Sequence, residues 1–244
     1  MNLPNPKDAI HKAWLYRMLG SICDSPIVSN ELAFKGGTAA AMRGYLNRFS
    51  IDLDFDYLGE PTTINVFRKH LEKLFTELGL EIKDASDNVP QYFLKYPTSG
   101  RQHGVRNTLK IDITFPAPKK NIYELIRLTE IDKIINCQTI ETMFSNKLVA
   151  LIDRYEKNGS IAGRDVYDIH HYFISGYDYS QDIIKERRNV EHVSVFFEQL
   201  ITFVENKITP TIIQQDLNSL LEYSHFSKIK KVVKSELLMF LKEE

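Results

Sequence analysis

Residues Ile51 to Tyr57 read Ile-Asp-Leu-Asp-Phe-Asp-Tyr, a strict alternation of apolar and acidic side chains. Period two marks a β-strand with one face buried. Side chains two apart on a strand point the same way, so Asp52, Asp54 and Asp56 share one face. Like charges this close repel each other unless cations lie among them. Such a strand must border solvent or a cation-binding site.

The segment before it sharpens the choice. Leu32-Ala33-Phe34 is short and apolar and stops at Gly36-Gly37, and Thr38 to Leu46 reads as an alanine-rich helix. Two glycines between strand and helix let the backbone approach a ligand. The helix start offers unpaired N–H groups and the positive end of its dipole, which suits phosphate. Gly36, Gly37 and Thr38 are therefore expected to bind a nucleotide, with Arg48, just before the acid strand, as a further phosphate contact. Magnesium takes oxygen ligands and is shared between carboxylates and substrate phosphates, so Asp52 and Asp54 are expected metal ligands. Two such ions can activate an attacking oxygen and neutralise a leaving pyrophosphate. Lys110-Ile111-Asp112-Ile113 is a second alternating stretch. It supplies Asp112 as a third metal ligand or a base toward an incoming hydroxyl, with Lys110 to balance its charge.

The remaining pattern divides the chain. Asp8 to Ile22 reads as a helix with Ile10, Trp14, Leu15, Met18 and Leu19 on one side. Thr62 to Leu78 has helical period with Thr63 in the cap region, and Leu80–Lys83, Tyr92–Tyr96 and Thr108–Phe115 read as strands. Pro116-Ala117-Pro118-Lys119-Lys120 breaks both regular structures and is the best boundary. Beyond it, Thr139–Tyr155, Arg164–Ile174, Val190–Val204, Pro210–Tyr223 and Ser227–Leu241 read as helices. The expectation is an α/β (α+β) chain: a core over residues 1–118 with a mixed sheet, a mainly helical lobe over 119–244, and a cleft between them.

Composition excludes several classes. With 244 residues and 43% hydrophobic content the chain can bury a core. Cys23 and Cys137 are its two cysteines and lie far apart, so neither a zinc pair nor a disulfide framework is indicated, and a reducing cytoplasm fits. The N-terminus lacks a signal-peptide pattern, and no apolar run reaches membrane-spanning length. Net charge is −1. The part up to Pro118 holds 14 basic and 13 acidic residues and the rest 17 and 19, so neither half is a basic nucleic-acid module.

Four blocks in order carry a family resemblance: Lys35-Gly36-Gly37-Thr38 through Asp54; Lys110-Ile111-Asp112; Lys147 to Arg154; and Arg164-Asp165-Val166-Tyr167-Asp168-Ile169. Together they resemble the DNA polymerase β-type nucleotidyltransferase superfamily, most closely its AbiEii/MenT-like toxins, over about Lys35 to Ile169. Thr38 stands where polymerase β-type enzymes more often have Ser. The resemblance implies a polymerase β-type core and an Mg2+-dependent transfer of NMP from an NTP, with tRNA or another RNA 3' end as acceptor. It also implies a toxin of a type IV-like toxin–antitoxin or abortive-infection (phage defence) system, paired with an antitoxin. By the same resemblance Lys147 contacts the nucleotide, and Asp165 completes the site from the helical lobe. Alternatives are transfer to a protein or to a small molecule such as an antibiotic, or an inactive nucleotide-binding module; three intact acids argue against the last.

Blander roles compete at each position. Gly-Gly-Thr alone is usually a turn, and Asp-x-Asp alone a solvated strand face; their spacing, with Lys-x-Asp following, carries the functional reading. Lys147 can snorkel from an apolar helix face. Asp165 can simply favour a helix start. Asp168 reads as a supporting residue and the adjacent His170 and His171 as structural. Lys228, Lys230, Lys231 and Lys234, like Lys185 with Arg187-Arg188, read first as solvated faces and second as RNA footprints.

Overall fold

The first helix, α1 (Ala9–Cys23), buries Trp14, Leu15, Met18, Leu19 and Ile22. Ile10, expected on that face, is exposed, and His11 is buried in its place. The His11 Nε2 donates to the Ile51 carbonyl at 2.8 Å, which ties α1 to the entry of the acid strand. Burial pushes its pKa down to about 4, so it stays neutral. This computed structural model describes residues 1, 3–97 and 106–244.

After the short α2 (Pro26–Ser29) come β1 (Leu32–Lys35), α3 (Gly36–Met42), β2 (Asp52–Tyr57), α4 (Ile64–Glu77), β3 (Glu81–Ala85), β4 (Gln91–Lys95) and β5 (Thr108–Thr114). Thr63 occupies the N-cap position of α4, but its hydroxyl makes no cap bond and donates to the Glu60 carbonyl instead. The strands join one mixed sheet in the order β3-β4-β5-β2-β1-β7-β6, where β6 is Tyr123–Leu128 and β7 is Lys133–Gln138. β2 pairs parallel with β5, and β1 parallel with β7; the other pairs are antiparallel.

The last two strands were not expected. Pro116 and Pro118 punctuate the chain without ending the sheet, and β6 and β7 return to pair beside β1. The sheet therefore runs to Gln138, past the expected boundary at residue 118. The helices α5 (Ile140–Asn158), α6 (Gly163–Ile174), α7 (Gln181–Arg188), α8 (Val193–Lys207), α9 (Pro210–Leu217) and α10 (Tyr223–Glu243) follow.

Strand period two sorts the sheet into two chemistries. Phe34, Leu53, Phe55, Leu109, Ile111 and Ile113 are fully buried on one face, packed with α1 and α4. Each such aliphatic or aromatic side chain contributes roughly 1.5–3 kcal/mol to the core. The opposite face presents Lys35, Asp54 and Asp112 side by side, because Lys35 pairs with Asp54 and Asp54 with Asp112. The helical lobe sits over the ends of this polar face. α5 begins at Thr139, whose hydroxyl accepts from the Thr142 amide, and ends at Gly159 in the left-handed region. α6 packs against α5, α9 and α10, and a β-carbon on Gly163 would lie 2.4 Å from the Ile212 carbonyl, so glycine permits the close approach of α6 to α9.

Candidate active site

The polar face of the sheet and the helices α5 and α6 enclose a cavity of about 520 Å³. Gly36, Gly37, Arg48, Asp52, Asp54, Asp112, Lys147 and Asp165 all line it. Eight of the nine expected site residues are thus brought together from a span of 130 positions. Thr38 does not line it. Its hydroxyl is buried and donates to the Asp52 carbonyl, so it anchors the start of β2 rather than facing a phosphate.

Gly36 explains the first glycine of the pair. Its φ is +76°, which L side chains rarely adopt, and a β-carbon there would lie 2.3 Å from Asp54 Oδ2. Gly37 has a different reason. A β-carbon would meet Arg48 Nη2 at 2.6 Å and Ser50 Oγ at 3.0 Å. Its lack of a side chain makes room for a buried arginine.

That arginine corrects another expectation. Arg48 is buried, and its guanidinium forms a two-pronged pair with Asp168, Nε to Oδ1 at 2.5 Å and Nη2 to Oδ2 at 2.6 Å, while Nη1 donates to the Phe49 carbonyl. Three of its five N–H donors are committed inside the protein, so its first role here is an internal tie. It joins the loop after α3 to α6, and the Phe49 amide, which donates to the Leu220 carbonyl at 2.9 Å, adds a second tie.

Both members of the acid pair have raised pKa values. Burial, followed by the neighbouring Asp52 and Asp112 carboxylates, pushes the Asp54 pKa up to about 6. Burial also raises that of Asp52, against the opposing field of Arg164 and Lys110. The third acid of the strand, Asp56, has another job. It is fully buried and accepts from Lys35 Nζ at 2.6 Å, Gln138 Nε2 at 2.6 Å, Asn121 Nδ2 at 2.9 Å and the Tyr123 hydroxyl at 3.0 Å. Nothing in the alternation distinguishes Asp56 from its neighbours; its donors come from 21 to 82 positions away.

Asp112 is engaged as well. Its Oδ2 accepts from Lys110 Nζ at 2.5 Å and Gln91 Nε2 at 3.0 Å. Among the described residues, no three His, Cys, Asp or Glu side chains are grouped to hold one ion. Asp52, Asp54 and Asp112 line one cavity, with Asp112 tied to Lys110 and Gln91 in this arrangement. A pair of hard oxygen donors, Asp52 and Asp54, with raised pKa values and mutual repulsion, nonetheless fits magnesium, which commonly takes one or two carboxylates plus substrate phosphates.

Across the cavity lies an alternating ion network. Lys147 Nζ contacts Asp165 Oδ1 at 2.9 Å and Asp168 Oδ2 at 3.2 Å, and Arg154 Nη2 contacts Asp165 Oδ2 at 3.2 Å. Arg48, Asp168, Lys147, Asp165 and Arg154 thus form one chain of opposite charges. Burial works against the Lys147 ammonium, but Asp165 and Asp168 outweigh it and raise its pKa. Burial likewise opposes the Asp165 carboxylate, and Lys147 and Arg154 overcome this and lower its pKa. Asp165 makes no helix-cap bond; Ala162 holds the N-cap position of α6. Lys147 is a paired lysine, not a snorkelling one.

Sequence reasoning gave no individual role to Arg154, Arg164 or Lys35, and read Arg187 only as part of a basic patch; all four line the cavity. A signal for Arg154 was present: Lys147, Ala150 and Arg154 recur at i, i+3 and i+7, one face of a helix. The basic patches are partly occupied. Arg187 and Arg188 pair with Asp153, and Lys234 donates to the Glu205 and Ile208 carbonyls at the end of α8. His170 pairs with Glu236 and His171 stacks on Tyr167, which agrees with structural roles.

A mixed sheet bearing a glycine-hinged strand–helix turn, an adjacent acid pair and a cationic wall is an arrangement suited to a nucleotidyltransferase. The match is specific to one group within that class. The family model for the nucleotidyl transferase AbiEii toxin of type IV toxin–antitoxin systems matches residues 22–229, and the chain belongs to that family. Two solved structures share the fold. One is an H. pylori protein assigned as a nucleotidyltransferase, with TM-score 0.59 and 21% identity over 98% of this chain and 95% of that one. The other is JHP933 from Helicobacter pylori, with TM-score 0.53 and 20% identity over 99% and 96%. No curated protein matches the chain in sequence. No helix among the described residues is long and apolar enough to cross a membrane.

Proposed function

We propose that this nucleotidyltransferase toxin transfers NMP from an NTP to a hydroxyl at an RNA 3' end, with tRNA as the expected acceptor, and that an antitoxin is its cognate partner. One observation carries the reading: an acid pair and a cationic network face each other across a single cavity of about 520 Å³. Asp52 and Asp54 would hold Mg2+. When bound, the ion supplies charge neutralisation at the reacting phosphate.

The residues divide the remaining work. Gly36 has no side chain to crowd Asp54, so the carboxylate can reach a ligand in the cavity. The acceptor oxygen forms a bond to the α-phosphorus as the bond to the bridging oxygen breaks, and pyrophosphate leaves with that electron pair. The acceptor proton passes to Asp112 through Oδ1, since Oδ2 is taken by Lys110 and Gln91. Lys147, oriented by Asp165 and Asp168, faces the phosphates. Orientation and preset charge supply most of the rate enhancement. An RNA acceptor is supported by the toxin family rather than by net charge, which is −1.

Incubation with each α-labelled NTP, Mg2+ and total cellular RNA tests the reading. A labelled tRNA-sized band, lost in Asp52→Ala, is the expected result. Label appearing only on protein or on a small molecule would transfer the activity to that acceptor. No transfer from any NTP to any of these would overturn it.

A further inference from the structure

Seven cationic side chains line the cavity, and six are committed. Lys35 pairs with Asp56, Arg48 with Asp168, Lys110 with Asp112, Lys147 and Arg154 with Asp165, and Arg187 with Asp153. Arg164 alone among the described cations of this cavity makes no hydrogen bond or ion pair. It occupies the first turn of α6, beside Asp165, and is the cation that acts most strongly on the Asp52 carboxylate. Arg154 is only partly used: it shares Asp165 with Lys147, and its Nε is buried with no partner.

Charge pairing gives this meaning. With the other cations matched one to one against acids, Arg154 and Arg164 remain opposite Asp52 and Asp54. A divalent ion on the two aspartates would cancel them and leave two guanidinium charges unopposed. A planar guanidinium with open donors in a walled, partly buried cleft is suited to phosphate, which it binds in two-pronged fashion. Lys147, to which the family resemblance assigns the nucleotide contact, already has two carboxylate partners and less to offer.

We propose that Arg164 is the principal contact to the β- and γ-phosphates of the bound NTP and steadies the departing pyrophosphate, with Arg154 beside it. The proposal rests on the nucleotidyltransfer reading and names the part of the substrate this residue holds. Its ligand is the polyphosphate tail, not the phosphodiester backbone of the acceptor: the tail must run from the Asp52–Asp54 pair, where Arg164's field is felt, whereas the acceptor needs to bring only a hydroxyl there.

Equilibrium binding separates the two levels. An α,β-methylene NTP analogue and the matching NMP are titrated, with Mg2+, into the wild-type chain and the Arg164→Ala, Arg164→Gln and Arg164→Lys variants, each checked for fold by circular dichroism. The expected result is a loss of analogue affinity of about 10- to 100-fold in Arg164→Ala, the range for removing a charged hydrogen-bond partner, with NMP affinity unchanged and partial recovery in Arg164→Lys. Equal weakening of analogue and NMP would mean a structural role and overturn the assignment. So would unchanged analogue affinity, including the case in which the variant raises only the KM for RNA. Failure of the wild-type chain to bind the analogue would instead overturn the nucleotidyltransfer reading itself.

Discussion

The backbone of Gly36 lies against the carboxylate of Asp54, so closely that a β-carbon on the glycine would stand 2.3 Å from Oδ2. The positive φ of Gly36 and the exit of β1 into α3 bring this about. A turn first read as a phosphate cradle is therefore also the device that leaves space around one member of the acid pair.

Gly36→Ala should fold but fail to transfer nucleotide. A non-glycine residue at this φ costs about 1–2 kcal/mol. Displacing Asp54 by about an ångström costs activity on the order of 100-fold. Thermal melting and a transfer assay on the same preparation check both, and wild-type activity in a folded variant would refute the role. Gly37→Val is a poorer test than its sequence suggests: its side chain would strike the Arg48 guanidinium, so lost NTP binding there would report a broken ion pair as readily as a blocked phosphate site.

Arg48→Ala should be the most destabilising single change at the site. The Arg48–Asp168 pair is almost wholly buried, and removing Arg48 leaves the Asp168 carboxylate only its 3.2 Å contact with Lys147, at a cost approaching the roughly 3–5 kcal/mol of a broken buried pair. The double variant Arg48→Met/Asp168→Leu should recover much of that loss, because it strands neither charge. Urea unfolding midpoints for the three proteins measure this; a loss under about 1 kcal/mol in Arg48→Ala would mean the pair is not structural.

Much of this arrangement was readable in the chain, and what escaped shares one physical cause. The acid face of β2, the glycine pair and the helical second half follow from local periodicity, and all appear. Thr38, Arg48 and Asp56 were misjudged or left unassigned because their partners are distant in sequence: the Asp52 carbonyl, Asp168 and the β6–β7 side chains. The same distance hid β6 and β7, since Pro116 and Pro118 mark a break in the chain but cannot say where it returns. Local pattern fixes which face is polar; which polar groups are free to act depends on long-range pairing.

Asp54 should make the metal-free protein sensitive to pH. Its pKa rises from 3.8 unfolded to about 6 folded, so folding favours the protonated form. The stabilisation it provides is complete below about pH 4 and lost as pH climbs through about 6. Asp54→Asn should thus raise metal-free stability at pH 7.5 by on the order of 2 kcal/mol, with the difference vanishing below pH 4. Added Mg2+ should reverse the ranking at pH 7.5 by stabilising only the wild type. Melting curves across pH with and without Mg2+ read both effects; a pH-independent gap between the two proteins would contradict the raised pKa.

Lys147 and Arg48 belong to one ion network yet should respond to substitution in opposite order. Removing Lys147 leaves Asp165 with Arg154 and Asp168 with Arg48, so each buried acid keeps a partner. Removing Arg48 leaves Asp168 with Lys147 alone, at a longer 3.2 Å contact. Lys147→Ala should therefore cost less stability than Arg48→Ala, on the order of 1–3 kcal/mol, the range for a lost charged hydrogen bond. It is not the near-neutral change expected of an exposed lysine. In transfer assays the order should invert, because Arg48 is held by Asp168 and the Phe49 carbonyl while Lys147 lies across the cavity from the acid pair. Asp165→Asn completes the test. It preserves shape and removes charge, and Asp165 makes no cap bond, so its effect comes mainly through its ion-pair partners Lys147 and Arg154. A kcat loss larger than the change in KM would identify Asp165 as a positioning residue for that ammonium. If Asp165→Asn transfers nucleotide at the wild-type rate while Lys147→Ala does not, the ammonium finds its place without Asp165, and Asp165 is not a positioning residue.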